Sequence, residues 1–118
     1  MHAQLELLLE IQDLQGQRSG LAEETLGDLE SKTFDIHLDD AMVLLDEKLE
    51  ELVERLEPDM RARFRRMADR NMRAVAPVLN GICYGCFVAL PTATASEAER
   101  NQKIDLCYHC GRFLYHVD

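Results

Sequence analysis

The chain has no tryptophan, three prolines, six glycines, and three tyrosines and four phenylalanines as its only aromatics in 118 residues. So few rings limit it to a modest core. Cysteine is missing from everything before Cys83. No apolar run approaches the ~18 residues that a membrane-crossing helix needs. Met1 opens an amphipathic acidic segment rather than a secretory leader, so the expected location is the cytoplasm, where thiols stay reduced. There is no Gly-rich phosphate loop or nucleophile motif, and no internal repeat. The carboxylates are spread over helix faces rather than paired, and His2 and His37 lie far in sequence from the cysteines. His109 is expected to face solvent and His116 to sit on a strand surface. Together these absences argue against an enzyme.

Basic residues are scarce in the first half. Residues 1–59 hold seventeen Asp/Glu against four Lys/Arg, whereas residues 60–118 hold five against nine, for a net charge of −9. The acidic half disfavours nonspecific nucleic-acid binding by the whole chain and leaves it open for the basic half. The length suits one domain of ordinary size or two small modules.

What is present begins with the cysteines. Cys83/Cys86 and Cys107/Cys110 form two Cys-x-x-Cys pairs with twenty residues between them, and no cysteine is left over. That is the spacing of a four-thiolate zinc site, in which each turn supplies two sulfurs to tetrahedral corners. Gly85 and Gly111 are placed for the tight turns, since glycine reaches positive φ without steric cost. Two disulfides or a thioredoxin-like redox pair are the competing readings. A redox pair normally opens a helix beside a βαβ unit, and none is visible. One structural Zn2+ is therefore expected on Cys83, Cys86, Cys107 and Cys110. With four thiolates it has no open position for chemistry, and binding it supplies much of the folding free energy of so small a module.

Upstream, residues 1–30 predict an amphipathic helix. Leu7, Ile11, Leu14 and Leu21 follow the four-three spacing of a coiled-coil seam, which Leu5, Leu8 and Leu9 widen and Gly16, Gly20 and Gly27 weaken. Residues 31–36 break the pattern as a hairpin tip, with Asp35 or Ser31 as the next cap. Residues 37–57 carry Leu38, Met42, Leu45, Leu49, Leu52 and Leu56 on one face. The pair predicts an antiparallel helical hairpin, which two copies could pair into a four-helix arrangement.

Pro58 starts a third helix. Met60, Phe64 and Met67 form its apolar stripe. Arg61, Arg63, Arg65, Arg66, Arg70 and Arg73 crowd the rest, either as a solvated face paired with the acidic hairpin or as a surface for phosphate or a protein partner. Beyond it, residues 74–79 and 87–90, the Asn80-Gly81 turn and residues 112–117 predict the strands of a ribbon, with a capped helical turn near Ser96. The expected organisation is α plus small β: a hairpin at 1–57, an Arg-rich connector helix at 58–73 and a C4 zinc ribbon at 74–118.

The runs Ala74–Cys86, Leu90-Pro91 and Cys107–Tyr115, with Leu8–Leu14 and Leu56–Asp59 more weakly, resemble the bacterial C4-type zinc-ribbon proteins that carry an N-terminal coiled-coil hairpin, the FlgZ/CdsZ-like group. Members carry a much longer hairpin, so this chain is similar to a short-hairpin member. The resemblance implies zinc on the four cysteines, no catalysis and an adaptor role. Its implied partners are RNA polymerase's enhancer-dependent sigma factor, flagellar or type III secretion components, or RNA. Two alternatives come from the residues. A DksA-like polymerase-binding factor would use Asp35, Asp39 and Asp40 near the hairpin tip. A nucleic-acid binder would use the arginine helix, with Tyr84, Tyr108 and Tyr115 stacking on bases.

Overall fold

The computed structural model describes residues 1–27, 32–91 and 100–117, and their side chains outside 23–38. Three helices lead into a small sheet: α1 (Ala3–Gly27), α2 (Lys32–Glu54), α3 (Pro58–Asp69), β1 (Val75–Leu79), β2 (Ile82–Cys83), β3 (Val88–Ala89) and β4 (Phe113–His116). The molecule is 54 Å long and about half as wide, at 27 × 23 Å. No described helix is long and apolar enough to cross a membrane.

α1 begins at His2, whose Nδ1 accepts the Gln4 backbone N–H at 3.0 Å and satisfies a donor that the first turn leaves free. α1 and α2 run antiparallel. Gln4 donates to the Arg55 carbonyl and accepts from the Glu57 N–H at one end, while Arg18 pairs with Asp46 farther up. α2 starts at Lys32, five residues before the expected position, so Asp35 lies inside the helix and is not its cap. Residues 32–36 contain neither proline nor glycine, and their other residue types cost a helix only tenths of a kcal/mol each, about what a long helix absorbs. The other cap candidate, Ser31, lies outside the described residues, as do the loop at 28–31 and the expected helical turn around Ser96. α2 closes with two i→i−3 bonds, Arg55 N–H to Leu52 O and Leu56 N–H to Val53 O. Pro58 then opens α3 with Asp59 in its first turn and Arg66 in its last, as the helix dipole favours.

The sheet order is β3-β2-β1-β4. Asn80 and Gly81, both at positive φ (53° and 73°), form the two-residue turn between antiparallel β1 and β2. β4 lies parallel to β1, with Val75 opposite Phe113 and Val78 opposite His116.

Two buried clusters hold this together. The larger joins Leu5, Leu8 and Ile11 of α1 to Leu52 and Val53 of α2, then through Leu56 to Met60, Phe64 and Met67 of α3 and to Ala74, Val75 and Phe113 of the ribbon. The hairpin base, the connector and one face of the sheet thus share a core. This shifts the buried stripe of α1. Leu5, Leu8 and Ile11 are fully buried, while Leu7 and Leu14 of the expected seam pack at its edge, because α1 meets a third helix and a strand as well as α2. Polar ties reinforce the junction. Gln12 Oε1 accepts the Val75 N–H at 2.9 Å, and the Asn101 carbonyl accepts from His2 while its side chain holds both backbone groups of His116. Away from the base the hairpin is thinly covered, and Val43 and Leu44 are exposed.

The smaller cluster is Ala76, Val78, Cys83, Cys107 and Leu114, with Cys86, Leu90 and Cys110 against it. His116 departs from expectation. It is buried rather than on the strand surface, with Nε2 3.5 Å from Asp105 Oδ2. Both faces of β4 are covered at this point, so alternation along the strand could not assign it an exposed side.

Candidate metal centre and the surface beside it

Each cysteine pair is presented by a turn that the sheet fixes. Cys83 ends β2, and the chain folds back so that the Phe87 N–H reaches the Cys83 carbonyl at 2.6 Å. In the second turn the Gly111 N–H reaches the Cys107 carbonyl at 3.0 Å, and the Cys107 N–H returns to Arg112 O. The four sulfurs lie within 4.8 Å of one another, with Cys83–Cys110 at 3.9 Å and Cys86–Cys107 at 3.7 Å. Zinc–thiolate bonds of ~2.3 Å in a tetrahedron put sulfurs ~3.8 Å apart, so the cluster has the dimensions of a zinc site. It is not a disulfide site: all four cysteines are free, and a covalent bridge needs sulfurs at ~2.05 Å.

The donor chemistry agrees. Burial pushes the Cys83 thiol up, against backbone N–H groups of Cys86 and Gly85 that favour its thiolate. Cys86 is pushed up to about 12 by burial, opposed by the Val88 N–H and reinforced by the neighbouring thiols. At Cys110 burial also pushes upward, but the Arg112 backbone N–H, the Arg112 guanidinium and the Cys107 and Cys86 thiols outweigh it and bring the thiol down to about 7. Amides aimed at sulfur stabilise the charged, metal-binding form, and four crowded thiols cannot all ionise without a cation between them. Binding zinc therefore releases protons. Apparent zinc affinity is expected to fall by several orders of magnitude between about pH 8 and pH 6, because the thiols regain protons that the metal must displace. Competition with a chromophoric chelator across that range measures it, and a flat profile would count against thiolate ligation.

Bound there, zinc supplies a structural cross-link between β2 and the segment before β4. With four thiolates it keeps no position for water or substrate.

The two turns differ in one respect. After the second pair, Gly111 takes φ +77°. After the first, Phe87 takes φ +61° although it is not glycine, and its ring is 72% exposed. Gly85, expected to supply the positive φ, does not. It is needed for room instead, since a Cβ there would stand 2.8 Å from Arg112 Cδ and 3.0 Å from the Ala76 Cβ. A side chain in the left-handed region costs ~1–2 kcal/mol, and little packing offsets it at Phe87 beyond an edge contact with Tyr84, ring centroids 5.8 Å apart. Phe87→Gly is expected to raise the stability of the zinc-bound protein by about 1 kcal/mol, read from urea melts at fixed free zinc. Tyr84 and Tyr108 are exposed beside the turns, Tyr108 donating to Ala89 O at 3.2 Å, and His109 is exposed as expected. Tyr115 is half-buried against the larger core. Sequence reasoning passed over Phe87. The available signal was a non-glycine after the first pair where the second has Gly111.

The six arginines of the connector divide. The Arg61 guanidinium donates to the carbonyls of Val53, Glu54 and Leu56 and so closes the end of α2. Arg65 pairs with Glu50 and Glu54. Arg63 donates to the Gly111 carbonyl at 3.4 Å. Among the described residues, the side chains of Arg66, Arg70 and Arg73 have no hydrogen bond or ion pair. Arg61→Ala is expected to destabilise by about 1–3 kcal/mol through the freed carbonyls, whereas Arg66→Ala and Arg70→Ala should change stability by less than about 0.5 kcal/mol. Thermal melts of the three variants test the division. At the other end of the molecule Asp39 and Asp40 are exposed, and the side chain of Asp35 lies outside the described residues.

Residues 82–114 match the family described as a C4-type zinc ribbon domain. No curated protein sequence matches the chain significantly. Among solved structures, the HP0958 protein of Helicobacter pylori is similar over 97% of this chain and 76% of its own, with a TM-score of 0.58 at 15% identity. CT398 of Chlamydia trachomatis aligns over 96% and 75%, with a TM-score of 0.48 at 14% identity. The chain thus carries a C4-type zinc ribbon domain at residues 82–114, built for one structural Zn2+ and set behind a helical hairpin in the fold of the H. pylori protein.

Proposed function

We propose that this chain is a non-enzymatic adaptor of the bacterial FlgZ/CdsZ-like kind, with the four cysteines as zinc ligands. Working in the cytoplasm, it would hold macromolecules in enhancer-dependent transcription or in flagellar or type III secretion assembly. The observation that carries this reading is the shared core. A hairpin fused to a metal-fixed ribbon through Leu8, Phe64 and Phe113 holds two separate surfaces in one relative position, as an adaptor requires. The surfaces differ in chemistry. The hairpin exposes carboxylates with Val43 and Leu44, and the ribbon side exposes Tyr84, Phe87 and Tyr108, with Arg66 and Arg70 of the connector exposed as well. Those exposed rings also favour a second reading, stacking on single-stranded nucleic acid. Affinity purification from the native cell, with and without nuclease, tests both. Nuclease-resistant capture of polymerase or secretion components that is lost on removing residues 1–57 or on Cys107→Ser/Cys110→Ser supports the adaptor. Capture only of nuclease-sensitive material would replace it with the second reading.

A further inference from the structure

We infer that the cleft between α3 and the second cysteine turn is a docking site for an acidic protein segment that carries an aliphatic or aromatic anchor. Two adjoining hollows share Arg63 and Arg66. One, of about 110 Å³, runs between Arg63, Arg66, Arg70 and the Cys110-Gly111 turn, with Met67 and Met72 below. The other, of about 380 Å³, is lined by Met60, Ile104, Leu106 and Phe113 together with Arg63 and Arg66, and Asp59 is the one carboxylate among the described lining residues.

Three features select the occupant. First, this chain carries 22 acidic residues against 13 basic ones, yet among the described residues the side chains of Arg66 and Arg70 have no partner, while those of Arg61 and Arg65 on the same helix do. In so acidic a chain, cations at a cleft with no partner among the described residues are placed for an added anion, and guanidinium forks suit carboxylates. Secondly, Leu106 is 39% exposed beside the half-buried Ile104 and gives the cleft an apolar lining that a phosphate backbone would leave unused. The exposed aromatics that could stack on bases, Tyr84, Phe87 and Tyr108, are not among the residues lining either hollow. Thirdly, the spacing places Arg63 and Arg66 on one face of α3, with Arg70 at its C-cap in line with them. A segment lying along the helix could meet all three while one apolar side chain enters the larger hollow. An anchor in a pocket with charges at the rim is the usual division of labour in a protein interface, the anchor giving affinity and the charges orientation and rate.

The competing role for these arginines is to neutralise the thiolate cluster next to them. It makes a different prediction, because it requires zinc retention to depend on Arg66 and Arg70.

This inference rests on the adaptor reading and adds a surface to it. The experiment selects peptides from a displayed library of random 12-residue sequences on the zinc-loaded full-length chain. Counter-selection uses Arg66→Ser/Arg70→Ser, replacing side chains that are exposed, so the fold should stay intact, checked by zinc content and circular dichroism. Enrichment of sequences with two or more Asp/Glu around a Leu, Ile or Phe is expected. Their affinity should fall at least about tenfold on Arg66→Ser/Arg70→Ser, and about fivefold or more on Leu106→Ser, consistent with losing charge-assisted pairs and a buried anchor. Selection of nothing that distinguishes the two baits would overturn the inference. So would peptides without acidic residues, competition by a 12-nucleotide single strand at equal concentration, self-association of the chain that occupies the site, or loss of zinc from the double arginine variant. If it fails while the nuclease-resistant partner is still captured, the adaptor reading stands and the docking surface lies elsewhere, on the hairpin or the exposed rings.

Discussion

Cys107→Ser/Cys110→Ser is expected to bind no zinc and to lose the sheet, the smaller core and part of the helical signal. The reason lies in what the cysteines touch. Cys83 and Cys107 are completely or almost completely buried and form the centre of the smaller cluster with Ala76, Val78 and Leu114. Without the metal, no cross-link joins β2 to the segment that feeds β4, and only the intervening chain connects them. Structural zinc contributes an apparent ~10–16 kcal/mol in small four-ligand modules, well above the few kcal/mol that so small a cluster supplies by burial alone. The damage should not stop at the ribbon. Val75 and Phe113 are shared with Phe64, Met67 and Leu8, so α3 and the base of α1 lose a wall of their core when the sheet goes. The outer part of the hairpin, where Arg18 meets Asp46, should persist. Zinc analysis, the 222 nm signal and amide exchange along α1 would show this graded loss. Full retention of α3 protection in a metal-free protein would mean that hairpin and ribbon are independent units.

Phe113→Ala is expected to cost about 3–5 kcal/mol even with zinc bound. Phe113 is 1% exposed, sits opposite Val75 in the parallel pair, bridges to Leu106 and donates its N–H to the Ala74 carbonyl. Its ring is where the metal-fixed sheet meets the helices. The cavity cannot collapse easily, because zinc holds β4 from one side and α3 packs from the other. Denaturation should be followed at a fixed free zinc concentration, since ligand binding to the native state shifts the apparent stability. Leu44→Ala is the control. Its side chain is 65% exposed, and its removal should change stability by less than about 0.5 kcal/mol. A loss at Phe113 no larger than at Leu44 would sink the shared-core argument.

The metal site was legible because its chemistry is local: two cysteines on one turn need no knowledge of the rest of the chain. Helix α3 was legible for the same reason, with Pro58 at its start and arginines toward its end. Other features depended on contacts that no spacing records. The face that α1 buries is set by α3 and β1, elements far along the chain, so Leu5 and Leu8 displaced Leu7 and Leu14 from the centre of the stripe. His116 is buried because Asn101 and Asp105 come back beside β4. The division of the arginines turns on where α2 ends. Arg61 points at carbonyls that α2 leaves open, and composition alone counts it the same as Arg66. Gly85 was expected to supply the positive φ, which falls instead to Phe87, because backbone angle and close approach are separate demands, and glycine answers to either.

The parallel register of β4 beside β1 has a consequence for how the protein is made. Parallel strands cannot be joined by a tight turn, so residues 80–112 must be brought round before the pair can form, at an entropic cost that grows with the loop. The helices and the Asn80-Gly81 hairpin need only neighbouring residues and should form early on the ribosome. The last strand has to wait for a metal ion to join the two cysteine turns. Maturation time is then expected to follow the supply of zinc. A newly made chain in a zinc-poor cell would keep the β1 edge, with Val75, Ala76 and Val78, open to pairing with other chains. The abundance of this protein should therefore report on metal availability as well as on synthesis, falling under zinc limitation faster than that of a protein with the same helices and no ribbon.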